Sequence, residues 1–121
     1  MKKLFAAFMF ILLITGCSGG GSYTDVSVDE AKELIDSGEV QVLDVRTPDE
    51  FAAGHIPGAK LVPLQVIESM LSELDQDQKY LVVCRSGNRS TQASGILVEN
   101  GFKNIYNMTG GMNEWTYEIE K

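Results

Sequence analysis

The segment Cys84-Arg85-Ser86-Gly87-Asn88-Arg89-Ser90 brings together a nucleophilic sulfur, two guanidinium groups, two hydroxyls and a glycine-asparagine pair. Gly87 and Asn88 are the residue types that best tolerate unusual backbone angles, so successive N–H groups can turn inward and form a concave cradle for an anion. The apolar run Tyr80-Leu81-Val82-Val83 precedes the segment and a helical pattern follows it, which puts the loop between a strand end and a helix N-terminus. Inward amides, the positive end of that helix and the charges of Arg85 and Arg89 all favour a thiolate over a thiol. Cys84 is therefore expected to ionise below an ordinary cysteine and to act as a nucleophile at neutral pH. Taken alone, a cysteine ending an apolar strand reads as a core residue; the loop that follows decides against this.

Further residues surround this candidate. His55 is the sole histidine and could serve Cys84 as a base, but it sits in Gly54-His55-Ile56-Pro57-Gly58, a turn in which a structural role is expected. Asp44 and Arg46 flank the end of an apolar strand and are expected to support the loops through ion pairs or hydrogen bonds, with Glu50 a candidate partner for Arg46. Met70, Met108, Met112 and Trp115 read as core filling or pocket rim.

These groups need elements to hold them. Ser27-Val28-Asp29-Glu30 is a capping box, opening a helix whose stripe of Ala31, Leu34 and Ile35 runs to Gly38. Val40 to Val45 is a buried strand, and Thr47-Pro48-Asp49-Glu50 starts a short helix, Pro48 to Ala53, closed by Gly54. A short strand is expected near Lys60 to Val62 and an amphipathic helix over Gln65 to Leu74. Lys79 to Cys84 reads as the central strand and Ser90 to Glu99 as the helix after it. Ile105-Tyr106 form a last strand, and a final helix begins near Gly111 and includes Trp115. Alternating strands and helices imply an α/β fold with a parallel sheet covered on both faces, whose sites lie beyond the carboxyl ends of the strands. No internal repeat and no second domain is visible.

The N-terminal segment has a different character. Lys2 and Lys3 precede an apolar run from Leu4 to Ile14, 11 residues long, where a membrane-spanning helix needs about 20. It reads as a secretory signal over residues 1–16. Ile14-Thr15-Gly16-Cys17 resembles the lipobox of bacterial lipoproteins, which implies acylation of Cys17 and a membrane anchor; an ordinary cleaved signal is the alternative. Residues 17–22, with Ser18-Gly19-Gly20-Gly21-Ser22, form a tether with a mean reach of roughly 12 Å. The domain proper spans 23–121. It would be exported and membrane-anchored, facing the periplasm or the cell exterior.

The chain carries 10 Lys+Arg and 17 Asp+Glu, a net charge of -7. Without Lys2 and Lys3, 8 basic residues face 17 acidic ones and the charge is -9. This weighs against nucleic acid as a partner, because phosphate binding needs clustered cations. Only three arginines are present and two lie in the Cys84 loop, so a small anion can be focused there while the remaining surface repels polyanions. Two cysteines and one histidine are too few for a structural zinc site. With Cys17 acylated, Cys84 is the single thiol and a dithiol redox cycle is excluded.

Across residues 23 to 117 the chain resembles the single-domain rhodanese family. The likeness rests on Leu43-Asp44-Val45-Arg46 followed by Glu50, on Gly54-His55-Ile56-Pro57-Gly58-Ala59, on Cys84 to Ser90, and on Gly110-Gly111 with Trp115. It implies a rhodanese-like fold with a central five-stranded parallel sheet and helices on both faces. It also implies a sulfurtransferase that moves sulfur from an anionic donor such as thiosulfate to a thiol or cyanide acceptor. On this resemblance Cys84 carries the sulfur as a persulfide and the amides of Arg85 to Arg89, with Ser90 beside them, cradle it. No metal and no organic cofactor is needed. Arg85 and Arg89 can stabilise the charge on departing sulfite, and two half-reactions imply ping-pong kinetics.

Two other readings stay open. Cysteine-dependent phosphatases and arsenate reductases also use a cysteine beside an anion cradle. They resemble one another in a histidine before the cysteine and one more residue between cysteine and arginine, whereas here Val83 precedes Cys84 and four residues separate it from Arg89. A non-catalytic rhodanese-like binding module is the other, although such modules have usually lost the loop cysteine, which this chain keeps.

Overall fold

The computed structural model describes residues 22–121, and the expectations placed on the export signal and on Cys17 lie outside them. Within these residues five strands and four α-helices follow in the order β1 (Thr24–Val26), α1 (Val28–Asp36), β2 (Val40–Asp44), α2 (Pro48–Ala53), β3 (Lys60–Leu61), α3 (Ile67–Met70), β4 (Lys79–Val83), α4 (Asn88–Glu99) and β5 (Ile105–Met108). The strands make one sheet in the order β1-β5-β4-β2-β3, and every pairing is parallel. β4 lies at its centre, as its apolar run predicts. Successive residues of β4 point to opposite faces and all are buried from Tyr80 onward, because both faces are covered. Tyr80 and Val82 pack with Ile67, Ala93, Leu97 and Phe102 on one side. Leu81 and Val83 pack with Val28, Ala31 and Met108 on the other.

The predicted capping box forms, and the helix start at Thr47 proves to be a second one. Glu30 N–H donates to Ser27 Oγ (3.1 Å) while Ser27 N–H donates to Glu30 Oε1 (2.8 Å). Thr47 and Glu50 repeat the exchange at 3.0 and 3.2 Å, with Pro48 opening α2.

Several boundaries differ from the sequence reading. β1 was not signalled, because Thr24 and Asp25 are exposed and only Val26 is buried, so this edge strand carries no apolar alternation. The segment read as one helix, Gln65 to Leu74, is instead a 3-10 turn (Leu64–Val66), then α3, then a second 3-10 turn (Leu71–Glu73); its spacing buries Ile67 and Leu74, but none of its turns has a side-chain cap to extend it. The last predicted helix is a single 3-10 turn, Met112–Glu114, which ends where Trp115 becomes extended. β2 and β4 each stop one residue earlier than read, at Asp44 and Val83, which leaves Cys84 as the first loop residue. Among the described residues no helix is long and apolar enough to cross a membrane.

Candidate active site

Cys84 follows β4 directly and is fully buried, packed in the same cluster as Ala93 and Leu97 of α4. Gly87 takes a φ of +103°, and its N–H donates to Cys84 Sγ at 3.0 Å. α4 begins at Asn88, two residues before the predicted start, so Ser90 stands in its first turn with an amide that has no partner within the helix. Burial pushes the Cys84 thiol up; hydrogen bonds from the hydroxyl and amide of Ser90 and from the amides of Gly87 and Ser86 outweigh it, and the thiol ionises below its ordinary range. The Ser90 hydroxyl also reaches the Gly87 carbonyl at 3.1 Å, so it has an alternative acceptor when the sulfur is protonated.

The amides point inward because the carbonyls are held from outside. Met112 N–H donates to the Cys84 carbonyl (2.8 Å) and Asn113 N–H to that of Arg85 (2.9 Å). For this the turn must approach closely: a Cβ on Gly111 would stand 2.3 Å from the Arg85 oxygen, and one on Gly87 would stand 2.2 Å from that of Thr109. The turn through Thr109 and Gly111 is thus the back wall of the cysteine loop.

The arginines are arranged differently from the expectation. Arg46 does not pair with Glu50. It folds back two residues onto fully buried Asp44, donating from Nε and Nη2 at 2.9 and 2.7 Å, and Nη2 also meets the Gly54 carbonyl at 2.8 Å. Glu50 instead faces Arg89, which donates to both its oxygens at 2.8 and 3.0 Å. That guanidinium holds the Glu50 carboxyl at about 2, against the resistance of burial and with help from Thr47. Two of the three arginines are therefore occupied by carboxylates. Among the described residues Arg85, which is exposed, has no ion-pair partner.

An open pocket of about 360 Å³ lies beside the loop, which contributes Arg85 to a lining that includes Arg46, Glu50, Met112, Trp115 and Ile119. Its outer wall is the C-terminal strap. His55 and Glu120 exchange backbone hydrogen bonds at 2.9 and 2.8 Å, and Ile119 packs on Gly54. The His55 ring stacks on Phe51 at 3.7 Å, with Nδ1 2.8 Å from the Phe51 carbonyl and Nε2 3.4 Å from Glu120. Both ring nitrogens have partners other than Cys84, and the histidine is structural.

Residues 27–118 match the family model described as a rhodanese-like domain. The chain belongs to the rhodanese-like family. It is 35% identical over 94 residues to the thiosulfate sulfurtransferase GlpE of Pseudoalteromonas translucida, covering 78% of this chain and 90% of that one. YrkF of Bacillus subtilis is 35% identical over 100 residues, 82% of this chain, and the chain spans 54% of its length. Among solved structures, SSP1007 from Staphylococcus saprophyticus superposes with a TM-score of 0.75 at 36% identity, covering 81% of this chain and 99% of that one. The human single-domain sulfurtransferase TSTD1 gives 0.72 at 30% identity, covering 78% and 96%. Sulfur transfer is the reaction class these relatives support.

In this rhodanese-like domain the segment from Cys84 to Ser90 divides into a loop, Cys84 to Gly87, and the first turn of α4, Asn88 to Ser90, while Asp44 and Arg46 pair with each other at the neighbouring strand end. Sulfur-facing donors, however, come from Ser86, Gly87 and Ser90 and not from the whole run of amides. Sequence reasoning missed the tie from Met112 and Asn113 to the loop carbonyls; the adjacent glycines at 110 and 111 were the available signal. It also missed Glu50 as the partner of Arg89, since those residues lie 39 positions apart.

Proposed function

We propose that this sulfurtransferase carries sulfur on Cys84 as a persulfide, taking it from thiosulfate or a similar small anionic donor and passing it to a thiol or cyanide. The observation that carries this reading is the buried Sγ held by amide and hydroxyl donors, an arrangement that favours a thiolate and then a persulfide anion in its place. The Cys84 thiolate attacks the outer sulfur of thiosulfate. A new S–S bond forms, the donor's S–S bond breaks, and its electron pair leaves on sulfite. Charge balances, since a thiolate and a dianion become a persulfide anion and a dianion. In the second half-reaction the acceptor attacks the terminal sulfur and the Cys84 thiolate is regenerated. Exposed Arg85 is the cation available to meet the donor and the departing sulfite.

Incubation of residues 22–121 with thiosulfate should add one sulfur atom to the peptide containing Cys84, read by intact and peptide mass spectrometry. Cys84→Ser should abolish thiocyanate formation from thiosulfate and cyanide. Absence of the adduct, or full turnover in the serine variant, would overturn the reading. Turnover of an aryl phosphate or of arsenate in parallel assays would favour oxyanion chemistry instead.

We propose further that the chain is exported and anchored through acylated Cys17, on the lysine-flanked apolar run and the lipobox-like Ile14-Thr15-Gly16-Cys17. Cys17→Ser should move the protein from the membrane to the soluble fraction, and continued membrane association would refute the anchor.

A further inference from the structure

Glu50 is the one carboxylate among the residues lining the pocket that Arg85 shares with Arg46, Met112 and Trp115. It cannot swing away: Oε1 accepts from the Thr47 N–H at 3.0 Å and the Thr47 hydroxyl at 3.1 Å, and Arg89 grips both oxygens. Arg89 itself lines a separate, smaller cavity with Thr47, Pro63 and Leu64. The third guanidinium of the area, Arg46, is cancelled by Asp44. A donor approaching through the pocket thus meets one uncompensated cation, Arg85, since Arg46 is paired with Asp44 and Arg89 is held by Glu50.

We infer that Glu50 sets the charge of the sulfur donor by neutralising Arg89 and leaving Arg85 as the single free cation, so that donors with a single negative charge are favoured over dianions. This rests on Cys84 being the sulfur carrier and adds the substrate class to it. The physical reason is Coulombic. A donor with one charge can place it against Arg85, whereas the second charge of thiosulfate has no free cation to meet, because Arg89 is held by Glu50.

The test compares two donors that deliver the same outer sulfur, thiosulfate and methanethiosulfonate, the latter having a methyl group in place of one charged oxygen. The readout is the ratio of their second-order rates of loading Cys84, which cancels effects common to both. Glu50→Gln keeps an acceptor for Thr47, removes the charge and releases Arg89. It should raise the thiosulfate-to-methanethiosulfonate ratio about five-fold at low salt, as expected for one screened unit charge several ångströms away, and less at high salt. Arg89→Gln should lower the ratio, because Glu50 is then uncompensated, and it carries the test if Glu50→Gln does not fold. The double variant should return to within about two-fold of the wild type, which a merely structural ion pair would not do. A ratio that stays flat while both donors slow alike overturns the inference and leaves Cys84 as carrier intact. Failure of the wild type to load from either donor overturns the carrier reading itself.

Discussion

The loops leaving β2 and β4 are neighbours, since Asp44 and Val83 are aligned in register and each loop leads into a helix. They are built in opposite ways. After β2, order comes from side chains: Asp44 and Arg46 lock the exit, and Thr47 caps its own helix so that an amide of its first turn is already used. After β4, no side chain caps the helix. Gly87 occupies the cap position in the left-handed region, and the amide and hydroxyl of Ser90 are left for the sulfur. Charged groups hold the scaffold, and neutral dipoles hold the reacting atom. Aligned amides stabilise a sulfur anion without an immobile cation that would also bind the leaving group tightly.

Three substitutions probe this division. The largest effect is expected from Gly87→Ala, whose methyl group would stand 2.2 Å from the Thr109 oxygen at a φ of +103°. Left-handed strain alone amounts to about 1–3 kcal/mol, and the clash adds to it. Both the melting temperature and sulfur loading should fall sharply; wild-type loading would break the account of the amide cradle. Arg46→Met comes next, because it leaves the fully buried Asp44 charge without its partner, a loss of about 3–5 kcal/mol. Denaturant unfolding should register this more strongly than loading per folded molecule, and the reverse order would show that Arg46 belongs to the chemistry. Ser90→Ala sharpens the comparison most finely. Removing that donor should move the rise of thiol reactivity to higher pH, towards the ordinary cysteine range. Loading at pH 7 should then fall several-fold and recover as the pH is raised. A pH profile identical to the wild type would mean that Ser90 does not act on the sulfur.

What could be read from the sequence follows the range of the interaction. The helix starts at Ser27 and Thr47 are local signals four residues long, and both appear in the structure at the residues read. The same holds for the apolar run of β4 and the cysteine loop behind it. Where a partner lay far along the chain, locality misled. Glu50 stands four residues after Arg46, an inviting spacing for a pair, yet the strand end turns Arg46 back onto Asp44 and the helix turns Glu50 towards Arg89. The early start of α4 was hidden because the helix has no side-chain cap. Edge strand β1 was hidden because its exposed polar residues leave no apolar pattern, and its place is set by pairing with β5 at the other end of the chain.

The parallel sheet has a consequence for how this domain can be handled or held. Tyr23 enters β1 at the amino end of the strands, and the pocket opens beyond their carboxyl ends. A support attached ahead of Tyr23, whether a chip surface or a bead, therefore leaves the mouth facing outward. The other terminus behaves in the opposite way. Ile119 is part of the rim, and Lys121 follows it by two residues. A reporter or purification tag joined there would stand in the doorway and would register in an assay as a weakened enzyme.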